Sequence, residues 1–211
     1  MNRTGFRSSA LSLLALCLVA GSAFIALEAP SASAKKAESA KVDTPVQNFK
    51  LRDLTKELKD NEKEDAALVA LDQYRDKKPV VLFFLSEKCD TTWRYEKRVG
   101  QLLQKYGQKD VQFLAVRCSA NDTPESIVKF AEAKNFDMPV LDDTNGKLTS
   151  YFKVYCTPTF ALIDTKGVLR YKGSFDDSRD PAAVKKPLLR NAIAAVLTGK
   201  EVAVKQNPAF G

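Results

Sequence analysis

The stretch Pro79-Val80-Val81-Leu82-Phe83-Phe84-Leu85-Ser86-Glu87-Lys88-Cys89 decides the fold. An unbroken apolar run between Lys77-Lys78 and Ser86-Glu87 is the pattern of a strand buried on both faces, which belongs at the centre of a sheet. Downstream, Trp93 to Tyr106 carries Trp93, Val99, Leu102, Leu103 and Tyr106 on roughly one face and stops at Gly107, which predicts a helix with a glycine cap. A second buried strand is expected over 111–116. Thr123-Pro124-Glu125 then opens a helix with a capping hydroxyl and a proline in its first turn. Pro139-Val140-Leu141 runs into the turn Asp143-Thr144-Asn145-Gly146, and a short helix is expected around Leu148 to Phe152. Next come a strand from Thr159 to Ile163, a hairpin turn at Thr165-Lys166-Gly167 and a strand from Val168 to Tyr171. A last helix is expected from Pro181 to about Leu197, ending at Gly199. Upstream, Phe49-Lys50-Leu51-Arg52 alternates like a short edge strand. A charged loop separates it from a helix over Ala66 to Tyr74, suggested by Ala67, Leu71 and Tyr74. The order implies an α/β fold with a central mixed sheet flanked by helices. Right-handed crossovers make the strands after residues 79 and 110 parallel neighbours, and the hairpin adds antiparallel strands on the other side.

Composition narrows the chemistry. The chain has 211 residues, net charge +7 and 45% hydrophobic residues, the make-up of one globular domain with appendages. It contains no histidine, which removes Ser-His-Asp triads, Cys-His proteases, HExxH zinc enzymes and histidine-ligated copper or haem. Lys35-Lys36, Lys77-Lys78 and Lys185-Lys186 are separated doublets with acids nearby, the mark of a solvated face and not of a nucleic-acid stripe. Asp142-Asp143 and Asp176-Asp177 are paired carboxylates that read as solvated loop residues, with a weak metal site as the other reading.

Arg3 and Arg7 precede an apolar stretch from Ala10 to Leu27, and small residues lead to Ala32-Ser33-Ala34 before Lys35-Lys36. This is the layout of a secretory signal peptide over residues 1–34, with cleavage expected after Ala34 and delivery to the periplasm or the exterior. The alternative is an uncleaved membrane anchor. Cys17 reads as an ordinary apolar residue of that segment. Residues 35–48 read as a flexible lead-in, 49–199 as the domain and 200–211 as a C-terminal tail.

Three cysteines remain beyond the signal, in a compartment where disulfides persist. Cys89 follows the central strand where the next helix begins, so the helix N-terminus favours its thiolate, with Lys88 and Arg94 nearby in sequence. Cys118 lies just past the adjoining strand, and Cys156 sits in the loop that delivers Pro158 into the strand on the other side. Catalysis in open α/β sheets gathers beyond the carboxyl ends of the strands, and all three thiols are expected there.

Together, Val80 to Cys89, the turn Asp143 to Gly146, Thr157-Pro158-Thr159 with Phe160 to Asp164, and Gly167 to Gly173 resemble a thioredoxin-fold redoxin. The similarity is to the exported alkyl-hydroperoxide-reductase and thiol-specific-antioxidant group. It covers about residues 49 to 199. It implies a cis bond at Pro158 and a loop in which Thr157 and Pro158 contact substrate beside Cys89. The departures are specific. A CxxC would need a second cysteine where this chain has Thr92, so a local dithiol is absent. The peroxiredoxin pattern is met by Ser86 and Cys89, but Leu82 stands where its proline belongs. In that pattern Ser86 would hydrogen-bond peroxide or thiolate and Arg94 would partner the thiolate.

The reading is therefore an exported thiol-dependent oxidoreductase without a cofactor. Cys89 attacks a protein disulfide or a peroxide, Cys156 or Cys118 resolves it, and an external thiol reductant restores it. Neither nucleic acid nor stable membrane insertion is expected. The competing readings are a non-catalytic binding or structural module stapled by a Cys89–Cys156 bridge, and an incomplete thiolate copper or zinc site. Cys118 on its own reads as a small buried hydrophobe, and Trp93 as a core residue or a shield for the thiol.

Overall fold

The computed structural model describes residues 39–59, 67–107 and 110–210; the signal peptide expected over residues 1–34, and residues 35–38, lie outside them. The apolar run forms β3 (Val80–Leu85), every residue of which is buried. Its predecessors are β1 (Lys50–Arg52), α1 (Leu54–Lys59) and β2 (Leu68–Ala70), and it is followed by α2 (Asp90–Tyr106) and β4 (Gln112–Arg117). Then come α3 (Pro124–Ala133), β5 (Val140–Asp142), α4 (Lys147–Tyr151), β6 (Thr159–Ile163), β7 (Leu169–Gly173) and α5 (Leu188–Leu197). The main sheet has the order β5-β4-β3-β6-β7. β3, β4 and β5 run parallel, while β6 pairs antiparallel with both β3 and β7. This is a thioredoxin-like α/β fold.

Strand alternation splits β3 between two cores. Val81, Phe83 and Leu85 join residues of α2, α3 and α5, whereas Val80, Leu82 and Phe84 join Val46, Val69, Leu71, Leu148 and Phe152. The chain steps from β3 to β4 to β5 in one direction, so right-handed crossovers put α2 and α3 on the same face. Phe83 stacks on Phe160 with ring centroids 4.6 Å apart and meets Phe136 edge-on at 5.8 Å, joining β3, β6 and the loop after α3.

Several segments depart from the sequence reading. The helix expected over Ala66 to Tyr74 is β2 followed by a single 3₁₀ turn, Leu71–Tyr74. Ala67, Val69 and Leu71 are the buried positions, a period of two that Leu71 and Tyr74 disguised as helical spacing. β2 pairs with β1 in a separate two-stranded ribbon, Leu51 opposite Val69. The expected charged loop after β1 begins instead with α1, where Asp53 accepts from the Thr55 amide at 3.0 Å.

The last helix starts at Leu188, after a lone 3₁₀ turn at Pro181–Ala183. Pro187 keeps the residue before it out of helical geometry. Gly107 ends α2 without the left-handed backbone of a glycine cap (φ −61°, ψ 149°). A side chain there would lie 2.4 Å from the Leu103 carbonyl oxygen, so close approach is what requires glycine. Trp93 is 49% exposed and not in the core. It lies edge-on to Phe130 with the Lys134 ammonium 4.1 Å from its ring centre.

The chain on either side of the expected domain also packs against it. The Ala40 amide donates to the Tyr151 carbonyl, Pro45 bridges Val168, and Val46 is buried. Val202 joins the core, and Gln206 bridges Lys172 of β7 in parallel. Asn207 seats its side chain over Gly173, where any Cβ would collide with it, and accepts from the Tyr171 hydroxyl at 2.6 Å. Among the described residues no helix is long and apolar enough to cross a membrane.

Because Phe83 holds the contact between β3, β6 and Phe136, Phe83→Ala is expected to cost about 3–5 kcal/mol of stability in urea unfolding. A loss below about 1 kcal/mol would contradict this packing.

Candidate active site

The topology explains why three thiols meet. β3 and β4 end side by side, with Leu85 opposite Arg117, so Cys89 and Cys118 follow from adjacent carboxyl ends. β6 is antiparallel to β3 with Thr159 opposite Phe84, so it starts where β3 finishes, and its lead-in, Cys156-Thr157-Pro158, arrives at the same place. Cys89, Cys118, Cys156, Ser86, Thr157 and Tyr155 all line one cleft of about 320 Å³. The peptide bond between Thr157 and Pro158 is cis.

Cys89 is the N-cap residue of α2, with extended backbone. Its thiol donates to the Thr157 carbonyl at 2.9 Å. Burial pushes this thiol up. The Thr157 side chain, the Thr92 amide and hydroxyl and the Thr91 amide outweigh burial and hold it below the ordinary cysteine value. Arg94, the sequence candidate for thiolate partner, is exposed on α2 and does not line the cleft.

The turn that presents Cys89 is fixed from below. The Ser86 hydroxyl accepts from the Lys88 amide at 3.2 Å and donates to Asp122 at 3.1 Å, while the Glu87 amide donates to the other Asp122 oxygen at 3.3 Å. Asp122 is itself buried, and burial outweighs these bonds to push its carboxyl up. Arg117 binds the Asp122 carbonyl and pairs with Asp142, which also accepts from Arg52 at 2.9 Å. Ser86 is thus placed at the cleft with its hydroxyl already engaged.

The other thiols have different surroundings. Cys118 contacts the Leu85 carbonyl at 3.4 Å and packs on the second core. Burial, with Asp122 and Asp143 nearby, pushes it up to about 12. Cys156 contacts the Ala209 carbonyl at 3.5 Å and is raised by burial and then by the charge of Cys89. All three thiols are free, so the Cys89–Cys156 staple is not formed in this structure.

The carboxylate pairs correct the solvated-loop reading. Asp143 is buried and accepts from the Leu148 and Thr149 amides at 3.0 and 2.7 Å. Asp176 is buried against Arg98, and Asp142 lies in the arginine cluster. Among the described residues no group of three Cys, Asp or Glu side chains is arranged to hold a metal ion. Sequence reasoning missed Asp122, which reads there only as the residue before the Thr123 cap. It also missed the burial of Thr92 and the exposure of Tyr155, 88%, at the cleft.

The profile of the AhpC/TSA family matches residues 30–172. No curated protein matches the chain. Among solved structures, an uncharacterized conserved protein from Geobacillus kaustophilus is 25% identical with a TM-score of 0.68, covering 80% of this chain and 88% of that one. A putative thiol:disulfide interchange protein DsbE from Chlorobium tepidum is 23% identical with a TM-score of 0.59, covering 75% of this chain and 99% of its own. Peroxidoxin BcpB from Mycobacterium tuberculosis is 22% identical with a TM-score of 0.56, covering 76% and 97% respectively. The last two likenesses are of fold.

The contrast between the thiols gives a direct expectation. Limiting iodoacetamide at neutral pH should label Cys89 first and leave Cys118 unlabelled until the protein is denatured, as read by peptide mass spectrometry. Equal labelling of the two in the native protein would contradict the electrostatics described.

Proposed function

The chain belongs to the AhpC/TSA family, and on that premise we propose that it is an exported thiol-disulfide oxidoreductase with Cys89 as nucleophile and Cys156 as resolving thiol. The observation that carries this reading is the Cys89 sulfur at the N-terminus of α2, 2.9 Å from the carbonyl of the cis-proline loop, with Cys156 on the same cleft. Export is inferred from the Arg3 to Ala34 pattern of the sequence.

The Cys89 thiolate attacks one sulfur of a substrate disulfide. The Cys89–substrate bond forms, the substrate S–S bond breaks, and the departing thiolate takes a proton from water. Forming the mixed disulfide removes the negative charge at Cys89. That charge is one of the two influences holding the Cys156 thiol up, so Cys156 ionises more readily once Cys89 has reacted. The Cys156 thiolate then attacks Cys89, releasing the second substrate thiol and leaving a Cys89–Cys156 disulfide. An external dithiol reduces it and is itself oxidised. The order of events follows from the electrostatics: the low-lying thiol attacks, and the raised thiol waits.

Disulfide substrates are favoured over peroxides by two placements. The Ser86 hydroxyl is tied to Asp122 and the Lys88 amide, and Arg94 lies off the cleft, so neither is free to polarise an O–O bond. Cys118 is disfavoured as resolver because its thiol is the hardest of the three to ionise.

Cys89→Ser should abolish disulfide reduction. Cys156→Ser should retain the first step and accumulate a mixed disulfide at Cys89, seen as a mass adduct that a small thiol removes. Turnover surviving in Cys89→Ser would refute the assignment of the nucleophile. Stalling in Cys118→Ser but not in Cys156→Ser would transfer the resolving role to Cys118.

A further inference from the structure

Cys156 stands between two cavities. On one side is the cleft it shares with Cys89; on the other is a cavity of about 560 Å³ walled by the C-terminal segment, and Tyr155 and Cys156 are the residues common to both. The Cys156 sulfur lies 3.5 Å from the Ala209 carbonyl, and Ala209 belongs to the wall of the second cavity. Cys89 lines only the first.

The second cavity carries charge of one sign. Lys153 and Lys172 line it and no aspartate or glutamate does, and among the described residues neither lysine is paired with a carboxylate. The Lys172 ammonium donates to the Phe152 carbonyl at 2.8 Å, which holds it beside the chain at Lys153. Burial and then the Lys153 charge push this ammonium down, the expected result of two like charges with no counter-charge between them. On the Cys89 side, by contrast, the Lys88 ammonium sits 2.9 Å from the Glu87 carboxylate. The second cavity therefore favours an anion, and its volume is that of a small-molecule site.

The chemistry of Cys156 says which anion has a use there. The proposed cycle ends on a Cys89–Cys156 disulfide that an external dithiol reduces. A thiolate attacks a disulfide sulfur in line with the bond that breaks, so attack on Cys156 comes from the side away from Cys89. That route expels Cys89, the thiol held low, whereas attack on Cys89 would expel Cys156, the thiol held up. The thiol of lower pKa leaves faster, so a reductant gains by entering behind Cys156.

We propose that the cavity behind Cys156 is the entry site of the reductant, and that Lys153 and Lys172 select a small dithiol carrying a carboxylate. This deepens the reading of Cys156 as resolving thiol and rests on it. One sulfur of the dithiol gives its proton to water and attacks Cys156. A bond between them forms, the Cys89–Cys156 bond breaks, and Cys89 departs with the electron pair as thiolate. The second sulfur of the dithiol, likewise deprotonated, attacks the first; their bond forms, the bond to Cys156 breaks, and Cys156 takes a proton from water. Both cysteines are reduced and the dithiol leaves as a cyclic disulfide. Substrate and reductant thus reach the site from opposite sides of one residue.

The test uses the oxidised full chain, its Cys89–Cys156 bond verified by peptide mapping, and two dithiols that differ only in a carboxylate against a carboxamide, dihydrolipoate and dihydrolipoamide. Reduction is followed by acid quench, alkylation and mass spectrometry. At low salt dihydrolipoate should be faster by about fivefold, the factor a partly exposed ion pair supplies, and the advantage should fade at high salt. Lys172→Gln and the exposed Lys153→Gln should each lower the ratio of the two rates, which is read within each protein and so is independent of its stability. Mercaptoacetate, with a single sulfur, should be trapped on Cys156 with Cys89 free. Equal rates for the two dithiols in the parent, a ratio unchanged in both variants, or an adduct on Cys89 overturns the reductant site while leaving the nucleophile and the resolving thiol in place. A parent chain that forms no Cys89–Cys156 bond on oxidation overturns the resolving role of Cys156, and this proposal with it.

Discussion

Everything at the cleft depends on β6 lying antiparallel against β3, with Thr159 opposite Phe84. That pairing delivers the cis-proline loop to the carboxyl end of the central strand, where the Thr157 carbonyl meets the Cys89 sulfur. The stacked rings of Phe83 and Phe160 hold the same two strands together from within the core. A parallel β6 would begin at the far end of the sheet and leave Cys89 facing solvent alone. The site is thus a consequence of strand direction, with side-chain bonds refining what the ladder has already placed.

Three thiols at one sheet end are not three equivalent thiols. Cys89 has amides and hydroxyls of a helix start around it, Cys118 faces apolar residues and two buried carboxylates, and Cys156 feels Cys89 itself. Proximity alone would make them interchangeable. The distinction comes from neighbours of a few atoms each, and it orders the thiols by the ease with which they lose a proton. Asp122 contributes to both sides of this contrast, anchoring the Ser86-Glu87 turn that presents Cys89 while disfavouring charge on Cys118.

The sheet was legible in the sequence because uninterrupted apolar runs and strong helix starts are local signals. Val80 to Leu85, the Thr123-Pro124 cap and the Thr159 to Ile163 strand needed no knowledge of the rest of the chain. β1 was expected as a short edge strand, but its partner β2 was missed because three residues at period two and a following 3₁₀ turn match a helical spacing just as well. The break before α5 follows from Pro187, which composition alone does not weigh against a run of alanines and leucines. Of the site, the cysteines and the proline loop were visible as residue types. Asp122, Thr92 and the placement of Arg94 were not, because burial and direction at a cleft depend on strands distant in sequence.

The segment after Val202 has a consequence for how copies of the molecule meet. β7 is the last strand of the sheet, and its free side would present amides and carbonyls ready to pair with a strand from another chain. The Lys172 amide donates instead to the Lys205 carbonyl, and the Asn207 amide donates back to Lys172, at 3.0 and 3.2 Å. The backbone of Lys172 is thereby saturated from within the same polypeptide. Sheet-to-sheet growth through that strand, the ordinary route from an open edge to aggregates, is capped at this point before a second molecule arrives.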